Sequence, residues 1–189
     1  MRIIAGEFRG RRLAAVKGAV RPTSDRVREA IFSILGEQVA GARVLDLFAG
    51  TGALALEALS RGAVAAVLVE EAPAALAVIR RNVAHLGVAE RVRLLPLTVA
   101  GAIKKLAAAG ERFDLIFLDP PYGRGLAAAT LAQLGEGQVL TAEATVVAEM
   151  SRRESPPPAA GVLTLTEVRD YGDTRVAFYA RGAADEKEP

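Results

Sequence analysis

The period of apolar positions changes along this chain. From Arg43 onward, short unbroken apolar runs alternate with longer stretches in which apolar residues recur every three or four positions. Unbroken runs predict strands buried on both faces, and the longer period predicts amphipathic helices. Strands are expected over residues 44–48, 65–69, 92–97, 113–118 and 145–150, with helices over 53–60, 73–86, 100–109 and 126–134. Arg61-Gly62 and Gly87 close two of these helices, and Pro73 opens one. After the Pro156-Pro157-Pro158 loop, residues 162–168 and 175–180 flank Tyr171-Gly172-Asp173 and read as a hairpin. The alternation predicts a mostly parallel sheet with helices on both faces, and the hairpin adds an antiparallel edge.

Ahead of this unit, residues 3–8 and 12–16 read as short strands around Arg9-Gly10-Arg11. Thr23-Ser24-Asp25 offers capping oxygens to a helix ending at Leu35, with Val27, Ala30, Ile31, Ile34 and Leu35 on one face. The expected organisation is a basic hairpin extension over 1–22, one α/β domain over 23–182, and a frayed polar tail over 183–189.

Composition narrows the chemistry. The 189 residues are 51% hydrophobic and 24% charged, enough for one well-filled α/β core. The absence of cysteine excludes disulfides, thiolate metal sites and a cysteine nucleophile, and a single histidine, His85, cannot build a His-rich metal site. No metal is expected. The start carries no targeting pattern and no apolar stretch reaches bilayer length, so a soluble, cytoplasmic protein without a membrane partner is expected. Net charge is +2, yet residues 1–28 carry eight basic and two acidic side chains. That basic arm, on a mildly acidic body, suits a phosphate backbone; a solvated tail is the alternative.

Two motifs carry the chemistry. Asp46-Leu47-Phe48-Ala49-Gly50-Thr51-Gly52 falls at the first strand-to-helix turn, where Gly50 and Gly52 let the backbone approach a ligand. Glu70 ends the next strand, where a carboxylate accepts ribose hydroxyls. A dinucleotide fits less well. Ala55 stands where the third glycine of that fingerprint belongs, and Asp46 would repel a pyrophosphate but suits the ammonium of S-adenosylmethionine. The second motif, Asp119-Pro120-Pro121-Tyr122, ends the apolar run 113–118. There a carboxylate and the Pro120 carbonyl can accept both hydrogens of a planar amine while Tyr122 stacks on the ring. Together the motifs point to methyl transfer onto a nucleobase nitrogen.

With both motifs in view, the chain resembles the RsmD family of bacterial 16S rRNA guanine-N2 methyltransferases, the type that modifies guanine 966. The likeness also covers Arg2-Ile3-Ile4-Ala5-Gly6, Arg9-Gly10-Arg11 and the run from Arg21-Pro22-Thr23-Ser24-Asp25 to Glu29. The resemblance implies a seven-stranded class I methyltransferase (Rossmann-like) sheet with an antiparallel edge strand and an N-terminal hairpin and helix. It implies S-adenosylmethionine as methyl donor, S-adenosylhomocysteine as product, and 16S rRNA in small-subunit particles as partner of a monomer. It assigns Asp46, Phe48, Ala49, Gly50, Thr51, Gly52 and Glu70 to the cofactor, and Asp119, Pro120, Pro121 and Tyr122 to the base. Arg2, Arg9, Arg11, Arg12, Arg21, Arg26 and Arg28 fall to the RNA. Where such enzymes carry an acid or Asn that reads the adenine amine, this chain has Pro96-Leu97-Thr98-Val99, and Thr98 is the substitute.

Other readings stay open: a DNA adenine-N6 methyltransferase, a protein-glutamine methyltransferase, or a non-catalytic ribosome assembly factor. Glu57 and Glu149 read as buried structural acids, His85 as a surface residue, and Tyr171 and Tyr179 as packing in the hairpin.

Overall fold

The computed structural model describes residues 1–16 and 24–182. Expectations for Arg21, for the Arg21-Pro22 break and for the tail over 183–189 lie outside them. Helix α1 (Asp25–Leu35) is capped by Ser24, whose Oγ accepts the Val27 N–H. Alternation then begins with β1 (Arg43–Leu47), α2 (Ala53–Ser60), β2 (Ala65–Val69) and α3 (Pro73–Leu86). It continues through β3 (Val92–Leu95), α4 (Val99–Ala108), β4 (Phe113–Leu118), α5 (Leu126–Leu134) and β5 (Leu140–Ser151). The chain closes with β6 (Ala159–Ala160), β7 (Leu163–Tyr171) and β8 (Thr174–Arg181).

One eight-stranded sheet results, in the order β3-β2-β1-β4-β5-β8-β7-β6. Strands β1 to β5 pair in parallel, and β8 joins β5 antiparallel. The hairpin therefore does more than trim an edge, because β8 lies inside the sheet between β5 and β7. The edge strand β6 is a two-residue stub, turned back onto β7 after the three prolines.

Side chains alternate between the two faces of a strand, and the core divides accordingly. Val44, Leu115 and Phe117 face α1, α2 and α3, whereas Leu45, Leu47, Ile116 and Leu118 face α4 and α5. Phe32 of α1 tilts onto Phe117 with ring centroids 5.7 Å apart. Among the described residues no helix is long and apolar enough to cross a membrane.

The amino-terminal strands are not built as expected. Residues 5–10 form turns, and a single antiparallel bridge joins Arg2 to Arg12. Around that bridge the Ile3 N–H donates to the Arg11 carbonyl, Gly10 to Ile3 and Leu13 to Met1, and other backbone donors go to helix side chains. Ile4 and Ala5 donate to Glu57, Phe8 to Ser60, and Ala14 to Asn82. Ile3, Phe8 and Leu13 are buried in the same core as α1, α2 and α3.

Candidate active site

Pairing register brings the two motifs together. Leu47 of β1 pairs with Val69 of β2 on one side and with Leu118 of β4 on the other. Phe48, Glu70 and Asp119 are therefore each the first residue past register-matched strand ends, on neighbouring strands about 4.8 Å apart. This is also the point where strand order reverses, the crevice in which open α/β sheets hold ligands. A cavity of about 760 Å³ opens there, and Phe48, Glu70, Leu97, Val99, Asp119 and Tyr122 are among its walls.

The glycine turn is held from beneath. Phe48 has a left-handed backbone, φ 64°, costly for an aromatic residue, at the point where the chain leaves β1 for the turn. Gly52 caps α2 at φ 78°, and a Cβ there would meet Leu68 Cδ2 at 2.9 Å. Glu70 braces the loop. Its Oε2 accepts the Gly50 N–H at 2.9 Å, and its Oε1 accepts those of Glu71 and Ala72. Of roughly four acceptor positions on a carboxylate, these bonds leave one, on Oε2, for a hydroxyl at the cavity wall.

Two of the residues assigned to the cofactor have side chains bonded to helix ends. Asp46 is 1% exposed and does not line the cavity; its Oδ2 accepts the Ala55 N–H at 3.1 Å and braces the first turn of α2. Burial pushes its carboxyl up to about 7, against the Ala55 hydrogen bond and with help from the charge of Glu70. Thr98 does not reach the cavity either. Its hydroxyl accepts the Gly101 N–H as the cap of α4, while Leu97 and Val99 on either side present apolar groups to the cavity. Ala49, Gly50, Thr51 and Gly52 form the turn behind the wall, and Thr51 is tied through its carbonyl to Asn82.

The proline corner is anchored through its aromatic residue. Tyr122 is 37% exposed, yet its hydroxyl donates to Glu149 Oε1 at 2.8 Å and lies 3.1 Å from Thr174 Oγ1. Burial first, and then the Glu149 carboxylate, raises the phenol above its ordinary range, so it stays a donor. Leu118 pairs with Ala148, which puts Glu149 directly beside Asp119. Glu149 is thus structural, as expected, and its task is to fix the ring.

Sequence reasoning missed the far wall. Glu71, Arg124, Ser151 and Asp173 also line the cavity. Ser151 and Asp173 come from the end of β5 and the β7–β8 turn, with no motif to mark them. A polar residue closing each strand beside Glu149 was the available signal.

The arginines divide. Arg28 is 0% exposed and cannot touch RNA; its Nη2 donates to the Arg2 carbonyl at 2.6 Å and to Asp25 at 2.8 Å. Burial lowers its pKa, opposed by Asp25 and Glu57. Arg11 lies over Phe8 at 5.6 Å and donates to the His85 carbonyl. Arg2, Arg9 and Arg26 line a shallow cavity of about 350 Å³ together with Asp25 and Glu29. Arg12 is exposed. Among the described residues no group of three or more His, Cys, Asp or Glu side chains is arranged to hold a metal.

Known proteins are similar to this chain in sequence and fold. A family model described as conserved hypothetical protein 95 matches residues 1–180. The Escherichia coli K12 protein named ribosomal RNA small subunit methyltransferase D is 35% identical over 189 residues, covering 100% of this chain and 93% of that one. YlbH of Bacillus subtilis is 37% identical over 182 residues, covering 96% and 99%. The solved structure of yhhF from Escherichia coli superposes with a TM-score of 0.84 at 36% identity, over 97% of this chain and 98% of that one. At 17% identity, an RNA methyltransferase from Salinibacter ruber, solved in complex with S-adenosyl-L-homocysteine, shares the fold with a TM-score of 0.65.

Proposed function

The chain belongs to the conserved hypothetical protein 95 family, the RsmD-type methyltransferases, and we propose that it methylates the exocyclic N2 amine of a guanine in small-subunit ribosomal RNA. It is an S-adenosylmethionine-dependent RNA methyltransferase. One observation carries the finer reading. The glycine-turn strand, the Glu70 strand and the Asp119 strand end in register on a single cavity, so a donor held at the first two faces an amine held at the third.

The residues present fit the cofactor. Glu70 offers its remaining acceptor site to a ribose hydroxyl, and Phe48, Leu97 and Val99 supply apolar walls for the adenine. When bound, S-adenosylmethionine supplies a sulfonium-activated methyl group and leaves as S-adenosylhomocysteine. The protein's part is alignment. An exocyclic amine is a weak nucleophile because its lone pair is delocalised into the ring. The Asp119 carboxylate and Pro120 carbonyl accept its two hydrogens and turn that lone pair toward the methyl group. Proline provides a stiff carbonyl with no competing N–H. The Tyr122 ring, fixed by Glu149 and Thr174, stacks on the base, which must leave its helix or loop to arrive.

Arg2, Arg9, Arg12 and Arg26 form the backbone-binding surface in this reading, and the protein acts as a monomer on an assembling particle. Replacing Arg9, Arg12 and Arg26 by glutamine should flatten the salt dependence of RNA affinity, by roughly 0.7 in log–log slope per lost phosphate contact. An unchanged slope in filter binding would assign the arm another role.

The test of the function is incorporation of labelled methyl from S-adenosylmethionine into naked 16S rRNA, small-subunit particles or DNA, followed by nucleoside analysis. N2-methylguanosine in RNA or particles is the expected product. Label in DNA alone, or in N6-methyladenine, would overturn the proposal.

A further inference from the structure

We infer that Arg124 binds a backbone phosphate next to the flipped target nucleotide, from the side of the cavity opposite the amino-terminal arm. The inference rests on the reading of Tyr122 as the platform for the base, and it adds a contact that neither motif marks.

The charges around the cavity pose a problem for RNA. Glu70, Glu71, Asp119 and Asp173 all line it, and Arg124 is the one basic residue among the described lining residues. To an approaching phosphate backbone that set of acids is repulsive. A flipped base enters with its sugar and phosphates still attached, so those phosphates must settle where a cation offsets the carboxylates. Arg124 is exposed and forms no hydrogen bond or ion pair with another described residue. Arg152 and Arg175, next to Ser151 and Thr174, are by contrast both paired with Asp170. A guanidinium offers a planar fork of donors that matches two phosphate oxygens.

Backbone geometry presents this residue beside the base platform. Arg124 follows Tyr122 by two positions, so their Cα atoms lie within about 7 Å, and both line the cavity. Gly123 (φ +74°) and Gly125 (φ +66°) flank it, both left-handed, and nothing lies within 4 Å of where a Cβ would stand at either. Glycine is needed there for the direction of the chain rather than for room. The loop turns sharply on both sides of Arg124, between the Tyr122 ring fixed by Glu149 and Thr174 and the start of α5. The sheet separates this loop from the arm. Ile3, Phe8 and Leu13 pack with α1, α2 and α3, whereas α5 covers the opposite face. Arg2, Arg9 and Arg26 on one side and Arg124 on the other thus hold an RNA strand on both flanks of the nucleotide it releases.

Neutral methylphosphonate linkages separate one phosphate contact from general attraction. 16S rRNA, free or assembled into small-subunit particles, is prepared with a single such linkage 5′ or 3′ of the modified nucleotide. Its affinity for wild type, Arg124→Ala and Arg124→Lys is measured with S-adenosylhomocysteine present, so the readout needs no methyl transfer. At one of the two positions the neutral linkage should weaken wild-type binding by about tenfold or more, and Arg124→Ala binding by less than about twofold. Arg124→Lys keeps the charge without the fork and should show an intermediate penalty. Cofactor affinity and Tm should be unchanged in both variants. Equal penalties in wild type and Arg124→Ala at both linkages would overturn the assignment. So would a loss of cofactor affinity in Arg124→Ala, which would give the guanidinium to the cofactor's carboxylate. Coupling between Arg124 and one linkage, with a product other than N2-methylguanosine at that nucleotide, would sink the guanine reading and leave the phosphate contact standing.

Discussion

Asp119→Ala should lower kcat for methyl transfer by about a hundredfold to a thousandfold while leaving cofactor and RNA affinities within a few-fold of wild type. The split follows from position. Asp119 is the first residue past β4, half-buried at the cavity wall, and the reading above assigns it no contact with the cofactor ribose or the RNA backbone. Its work is confined to the amine, whose need for an acceptor is greatest as the nitrogen turns tetrahedral and positive charge develops on it. Such an interaction strengthens toward the transition state, so its loss falls on kcat more than on KM. Asp119→Asn keeps one carbonyl acceptor but loses the charge, and should fall between alanine and wild type. Single-turnover kinetics at saturating RNA and cofactor checks this. A variant that binds normally and transfers at more than a tenth of the wild-type rate would remove Asp119 from the chemistry. A non-catalytic assembly factor, by contrast, would lose nothing on this substitution.

How far the sequence disclosed this site depends on where each residue's partners lie. Helices α2, α3 and α5 and strands β2 and β4 have the limits expected from apolar period and punctuation, because both are local signals that do not depend on which strand lies alongside. The site residues Phe48, Glu70 and Asp119 were legible for the same reason: each follows directly on an apolar strand. Beyond such local order the pattern misleads. Residues 3–8 and 12–16 read as two strands, but their pairing narrows to the Arg2–Arg12 bridge, and the Ile4, Ala5 and Phe8 N–H groups go to Glu57 and Ser60, over fifty residues away. Arg28 looks like any other arginine of the basic arm until Asp25 and the Arg2 carbonyl are seen to enclose it. Asp46 and Thr98 are polar residues beside a ligand loop, and both turn out to serve helix ends. Their hydrogen bonds to Ala55 and Gly101 are local, but nothing in the sequence says whether a carboxylate or hydroxyl faces a helix or a cavity. Ser151 and Asp173 were invisible because the β5–β8 pairing that brings them to the corner is set by the hairpin's insertion into the sheet.

The largest effect on stability is expected at Glu57. Its side chain is 0% exposed and holds three groups at once: the Ile4 N–H at 2.8 Å, the Ala5 N–H at 3.0 Å, and Arg61, the last by an ion pair of 2.7 Å. Glu57→Ala strips two buried amide donors of their acceptor and leaves Arg61 without its counter-charge. Removing one partner of a buried ion pair costs about 3–5 kcal/mol, against a total stability of about 5–15 kcal/mol for a domain. For a chain of this size that corresponds to a fall in Tm of roughly 10 °C. The backbone offers no easy escape. At Gly6 the chain passes so close to α2, with φ +81°, that a Cβ would overlap the Ser60 carbonyl, and the neighbouring Glu7 N–H already bonds that same oxygen at 2.8 Å. The segment must dock here or not at all, and with it go Arg2 and Arg9. Glu57→Gln, which keeps the size and one acceptor, should recover part of the loss. If the Glu57→Ala protein melts within 2 °C of wild type, roughly the resolution such a comparison requires, the amino-terminal segment is not held by this carboxylate. If it melts early yet turns over normally on RNA below its Tm, the docked arginines do not contribute to substrate binding.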